Sequence, residues 1–181
     1  MRLSYKTELF TVETDVKTYV EGYHKADQFL PYCQECKNYG QRYGCPPFDS
    51  DPLTLVRTFD KVRIIGIKVI PDDPTLPLSA ANELMEPVIS ELNKKLLDDE
   101  KSLKGFACGF VGRCPYCGDV PCARKEGKPC RHPDVVRPSL EAIGFDIGKT
   151  TRDLLGIDIK WSKNNLIPKY LTLVCGLFFN T

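Results

Sequence analysis

No stretch of this sequence approaches the ~18 consecutive apolar residues that a membrane span needs, which removes the helical membrane proteins first. The N-terminus, MRLSYKTELFTVETD, has no apolar run fit for a signal peptide, and its acidic residues argue against a transit peptide. A cytoplasmic location is therefore the expectation. An excess of one charge is also lacking. The 25 Lys and Arg against 24 Asp and Glu leave a net charge of +1, so no overall field commits the chain to nucleic acid or a membrane surface. There is no internal repeat, no P-loop, no G-x-G-x-x-G after a strand and no C-x3-C-x2-C element of the radical S-adenosylmethionine type. No nucleophile–base arrangement stands out, so no independent catalytic site is recognised. Histidine is scarce, with two residues. His24 lies in a polar helical stretch and is expected to face solvent, and His132 reads as a loop histidine beside a cysteine.

Cysteine is abundant, at nine residues in 181. Disulfides are rare in a reducing compartment, and nine is an odd number. A chain of this length buries roughly 70% of the surface its unfolded form exposes, so it has no need of crosslinks merely to hold a core. Metal ligation is the reading that remains. The cysteines form two groups and an outlier: Cys33-x2-Cys36-x8-Cys45, then Cys108-x5-Cys114-x2-Cys117-x4-Cys122-x7-Cys130, and Cys175 alone in an apolar run. Two residues between cysteines let one tight turn aim both sulfurs at a common point, with backbone N–H groups available to bond them. Gly44, Pro46, Pro47, Gly112, Pro115, Gly118 and Pro121 permit such turns. Cys175 reads as a packing thiol.

Three and five cysteines make two sets of four, the number that one 4Fe-4S cluster or one structural zinc takes. Cys114-Pro-Tyr-Cys117-Gly has the form of a zinc knuckle. Cysteine followed by proline, at Cys45 and Cys114, also closes the ligand run of bacterial ferredoxins. Two 4Fe-4S clusters are the favoured reading and zinc the alternative. The local partition groups Cys114, Cys117, Cys122 and Cys130, and separately Cys33, Cys36, Cys45 and Cys108. An exchange of Cys108 and Cys130 stays open.

The remaining chain reads as an α/β layered sandwich. KVRIIGIKVI, 61–70, is a strand covered on both faces. Ser79 caps a helix to about Glu100 with an apolar stripe at Leu84, Val88, Leu92 and Leu96, which Pro87 should kink or shorten. A short strand at 104–110 leads into the cysteine loop. Two helical pieces follow from Arg137, the first ending at Gly144 and the second capped by Asp146, and KYLTLVCGLFF, 169–179, closes the chain as a strand. Arg137 and Glu141, four apart, are expected to pair. Residues 1–50 form an N-terminal helix (around 13–28) and the first cysteine loop, packed on a main body, 51–181, with an inserted cysteine loop at 108–133. Both loops are rich in turn formers and poor in aliphatic side chains, so their order should come from ligand bonds.

Residues 101–137 carry eight Lys and Arg against three Asp and Glu. That surplus suits a thiolate cluster or an acidic redox partner protein. It argues less for nucleic acid, because no stacking aromatics are interleaved with it. The oligomeric state is not encoded in any of these features.

The elements Cys33-x2-Cys36…Tyr43-Gly44-Cys45-Pro46-Pro47 and Cys130-Arg131-His132-Pro133…Arg137-Pro138-Ser139-x-Glu141-Ala142-x-Gly144 together resemble an uncharacterised bacterial and archaeal family of predicted metal-binding proteins. The resemblance covers roughly residues 30–160. It implies that Cys33, Cys36, Cys45, Cys108, Cys114, Cys117, Cys122 and Cys130 act together as ligands, and it implies no reaction. The functional expectation is an iron–sulfur protein in electron transfer or redox support of a partner enzyme, with a zinc-stabilised interaction module as the alternative.

Overall fold

A computed structural model describes residues 3–109 and 114–181. Gly112, named above as a turn former, lies outside the described residues, as do Arg113, one of the eight basic residues counted over 101–137, and the end of the expected strand at Phe110. The fold is a four-stranded antiparallel sheet in the order β1-β2-β4-β3, with helices on both faces. The strands are β1, Tyr5–Asp15; β2, Lys61–Pro71; β3, Phe106–Cys108; and β4, Leu171–Phe179. The helices are α1, Val16–Tyr23; α2, Ala26–Gln34; α3, Pro52–Val56; α4, Ala81–Leu103; and α5, Ile147–Leu155. This is the expected mixed α/β sandwich.

The two central strands explain the layering. In β4, Val174 and Phe178 point to one face, and Leu173, Cys175, Leu177 and Phe179 to the other. The first face packs against Val16, Tyr19, Val56, Leu140, Phe145 and Leu155. The second takes Leu84, Val88 and Leu96 of α4. A strand buried on both sides reads as a continuous apolar run, which is why β2 and β4 are visible in the sequence. Helix α4 runs through Pro87 and begins behind a single 3-10 turn, Leu78–Ala80, in which Ser79 makes no side-chain cap. Pro87 sits in the second turn and removes one backbone donor without ending the helix.

Strand β1 is not apparent in the sequence. Its eleven residues pair with β2 from Tyr5↔Pro71 to Asp15↔Lys61, and most of its side chains face solvent. The N-terminal segment therefore has a hold on the sheet that owes nothing to the cysteine loop. The first of the two expected helical pieces after Arg137 is a series of turns instead. Pro138 has no N–H to give a helix, and the segment bonds outward: Gly109 N–H donates to Pro138 O (2.8 Å) and Lys25 N–H to Gly144 O (2.8 Å). Gly144 has φ +93°, and a Cβ there would meet that of Ala26 at 2.8 Å. The second piece is α5, capped as expected by Asp146, whose Oδ1 accepts from Lys149 N–H at 2.8 Å.

Arg137 does not pair with Glu141. Its guanidinium meets Glu100, near the end of α4, through Nε–Oε2 at 2.8 Å and Nη2–Oε1 at 2.5 Å, and it donates to Val136 O and Asp134 O. Glu100 also accepts from Ala107 N–H of β3 at 2.8 Å. One partly buried ion pair thus ties α4, β3 and the exit of the second cysteine loop together. Replacement of Arg137 by Met should destabilise the fold by ~2 kcal/mol, between the ~3–5 of a buried broken pair and the ~1 or less of an exposed one. Arg137→Lys should recover only part of this, because an ammonium cannot form the two-pronged contact. Urea melts of the two variants check this, and a loss below ~0.5 kcal/mol for Arg137→Met would contradict it.

Candidate metal centre

The first cysteine loop starts in the last turn of α2. Cys33 to Pro47 contains no Ala, Val, Leu, Ile or Met, so it has almost nothing to bury. Its backbone folds on itself in consecutive turns: Cys36 N–H donates to Cys33 O (3.0 Å), Tyr39 N–H to Cys36 O (2.9 Å) and Cys45 N–H to Arg42 O (3.1 Å). Gly40 N–H reaches Pro46 O (2.8 Å), beside the cis peptide bond Pro46–Pro47. These turns bring Cys33, Cys36 and Cys45 into one neighbourhood. Burial pushes the Cys45 thiol up; Arg42 and Arg124 pull it down, and the charges of Cys36 and Cys33 act against them. Burial raises Cys33 as well, with Cys36 and Glu141 acting in the same direction.

The second loop, 114–133, is built likewise. Val120 N–H donates to Cys117 O and Lys125 N–H to Cys122 O, both at 3.1 Å. Gly118 and Gly127 adopt positive φ, and Ala123 is the one buried residue of the segment. Cys114, Cys117, Cys122 and Cys130 share a neighbourhood. Burial raises the Cys114 thiol, the Tyr116 backbone N–H stabilises its charged form, and Cys117, Cys130 and Cys122 oppose that ionisation. His132 N–H points at Cys130 Sγ at 3.4 Å. Backbone N–H groups aimed at sulfur in this way favour the thiolate, the form that binds metal.

The loops clasp each other. Arg124, two residues after Cys122, donates through Nη1 to Arg42 O and Cys45 O (both 2.7 Å) and through Nη2 to Pro47 O. Its guanidinium also lies 5.6 Å from the centre of the Tyr43 ring, and the Tyr43 hydroxyl donates to Lys128 O. Seven of the eight sequence-predicted cysteines thus lie on two touching loops. Cys36 is exposed and the other six are half-buried. The eighth, Cys108, is fully buried in β3 opposite Gly176, on the core face with Val174, Phe178 and Leu140. Burial pushes its thiol well up, as it does that of Cys175, to about 12. Among the described residues, no three His, Cys, Asp or Glu side chains converge closely enough to hold one ion, so metal binding has to draw the loop thiols together.

Sequence reasoning did not reveal Arg124 as the clasp, nor His24 as a structural residue. His24 is half-buried with Nε2 3.0 Å from Ile143 O rather than facing solvent. The expected pairing with Arg137 also misplaced Glu141, whose Oε2 is sealed from solvent with no hydrogen-bond partner among the described residues.

A thiol reagent tests this placement. In folded, metal-free protein, Cys33, Cys36, Cys45, Cys114, Cys117, Cys122 and Cys130 should be alkylated, with Cys108 and Cys175 protected until denaturant is added. Peptide mapping reads the result. Rapid labelling of Cys108 in folded protein would contradict its burial.

Among the described residues no helix is long and apolar enough to cross a membrane. No curated protein and no solved structure matches the chain. A family model described as predicted metal-binding protein (DUF2284) matches residues 20–178, a span that takes in both cysteine loops, β2, β3 and all but the last residue of β4. The chain belongs to this family of predicted metal-binding proteins.

Proposed function

We propose that this protein is a cytoplasmic iron–sulfur protein with two four-iron clusters, one on each cysteine loop, serving electron transfer or redox support of a partner enzyme. The observation that carries the reading is the grouping of Cys114, Cys117, Cys122 and Cys130 in one turn-rich loop, with N–H groups of Tyr116 and His132 directed at two of the sulfurs. Four soft thiolates form the ligand set of a cubane, and N–H···S bonds and burial are the means by which a protein tunes its potential. In the first loop, Cys33, Cys36 and Cys45 supply three thiols. The fourth donor comes from beneath the loop, where Cys108 is the candidate from sequence and the segment 136–144 is the other source.

When bound, the clusters would supply one-electron chemistry; the chain's residues hold and insulate them. Arg124 places its guanidinium against the Cys45 carbonyl, where it offsets anionic charge and keeps the two centres adjacent for passage of an electron. Lys125, Lys128 and Arg131 are exposed around the second loop and would steer an acidic partner. Cys33, Cys45 and Cys114 are held protonated by burial. Metal binding must release those protons, so affinity should rise with pH. A zinc-stabilised interaction module is the competing reading, favoured by the Cys114–Cys117 knuckle and its left-handed Gly118 (φ +55°).

Anaerobic purification followed by iron, sulfide and zinc analysis separates the two. The expected result is a coloured protein with about eight irons and eight sulfides per chain, bleached by reductant. A colourless protein with stoichiometric zinc would sink the electron-transfer reading.

A further inference from the structure

The first cysteine loop and the residues ahead of α2 rest on one segment, and Glu141 lies between the two points of contact. Inside the loop, next to Cys45, Gly44 sits on residues 136–137: a Cβ there would stand 3.0 Å from Arg137 O and 3.9 Å from Val136 Cγ1. Ahead of α2, Lys25 N–H bonds Gly144 O at 2.8 Å, and His24 Nε2 lies 3.0 Å from Ile143 O. At the start of the loop the Glu141 charge acts on the Cys33 thiol, so both ends of the loop lie near this segment. Within that stretch burial pushes the Glu141 carboxyl up, while its own backbone N–H and the Ser139 hydroxyl favour the charged form. Among the described residues its Oε2 has no partner and no solvent. An unfilled buried acceptor costs about 1–3 kcal/mol, more when charged, and native folds keep few of them without a reason.

Cys108 fits the same role less well. Its side chain belongs to the apolar cluster of Val174, Phe178 and Leu140, with no exposure. A thiol in such surroundings behaves as a small hydrophobe. Withdrawing it toward the loop would open a hole in the core, whereas Glu141 acts on the Cys33 thiol from where it stands and, among the described residues, has an oxygen without a partner. We propose that Glu141 is the oxygen ligand that completes the Cys33, Cys36 and Cys45 centre, and that Cys108 is a packing residue. The assignment rests on the reading of the two loops as metal centres. It makes the centres unlike: four soft thiolates in one, and three with a hard carboxylate in the other, which marks one metal position as distinct.

The full chain, loaded anaerobically, tests this in four forms: wild type, Glu141→Gln, Glu141→Cys and Cys108→Ala. Iron, sulfide and zinc are measured per chain, electron paramagnetic resonance is recorded before and after mild oxidation, and circular dichroism monitors folding. Cys108→Ala should keep wild-type metal. Glu141→Gln should lose about half the metal, or about one iron with the appearance of a three-iron signal. Glu141→Cys should restore wild-type content. Full metal with an unchanged spectrum in Glu141→Gln would overturn the assignment, as would loss of the first centre in Cys108→Ala. If Glu141→Gln fails to fold, Glu141→Cys decides: metal at the wild-type level supports the assignment, and an absent first centre overturns it. Zinc in place of iron in the wild type would defeat the cluster reading alone, because the same variants then report the ligand through zinc content.

Discussion

The contact on which the functional half of this molecule depends is the Arg124 guanidinium against the carbonyls of Arg42, Cys45 and Pro47. Neither cysteine loop has aliphatic mass with which to make a core of its own. Each must therefore be organised by hydrogen bonds, by the other loop and by whatever its thiols bind. A planar cation with several donors suits this, since it can serve three neighbouring carbonyls at once, one of which, Arg42 O, also accepts from Cys45 N–H. The charge lies beside Cys45, whose thiol burial pushes up and Arg42 and Arg124 pull down. Loop docking and thiol electrostatics thus share one residue.

The scaffold under the loops is built by other means. Val62, Ile64, Val174 and Phe178 on one sheet face, and Ile67, Val69, Leu173 and Leu177 on the other, give it a core to which the loop cysteines contribute nothing. The Glu100–Arg137 pair joins this scaffold to the exit of the second loop. From there the chain passes under the first loop as the turns that carry Glu141. The segment 136–144 thus touches both the scaffold and the first cysteine loop.

Much of this was legible in the sequence, and the reasons for the rest are physical. Strands β2 and β4 show as continuous apolar runs because they are covered on both sides. Helix α4 shows as a four-residue stripe because it has one buried face. Strand β1 lies at the sheet edge with side chains such as Leu9 in solvent, 61% exposed, so its alternation is faint and its pairing with β2 is a tertiary fact. The spacing of the cysteines revealed both loops but not that Cys108 lies in the core, because a thiol next to a strand and a thiol within it have the same letter. Arg137 and Glu141 have ideal helical spacing. Only the fold discloses that Arg137 pairs with Glu100, 37 residues away, which leaves Glu141 without the expected partner.

The sheet scaffold is expected to fold by apolar burial, with the two cysteine loops taking their order from bound metal. Segment-resolved hydrogen exchange on metal-loaded and metal-stripped protein tests it most directly. Stripping should raise exchange in 33–48 and 114–133 and leave β1, β2, β4 and α4 as protected as before. Equal protection of both loops without metal would contradict the account, as would loss of protection throughout the sheet.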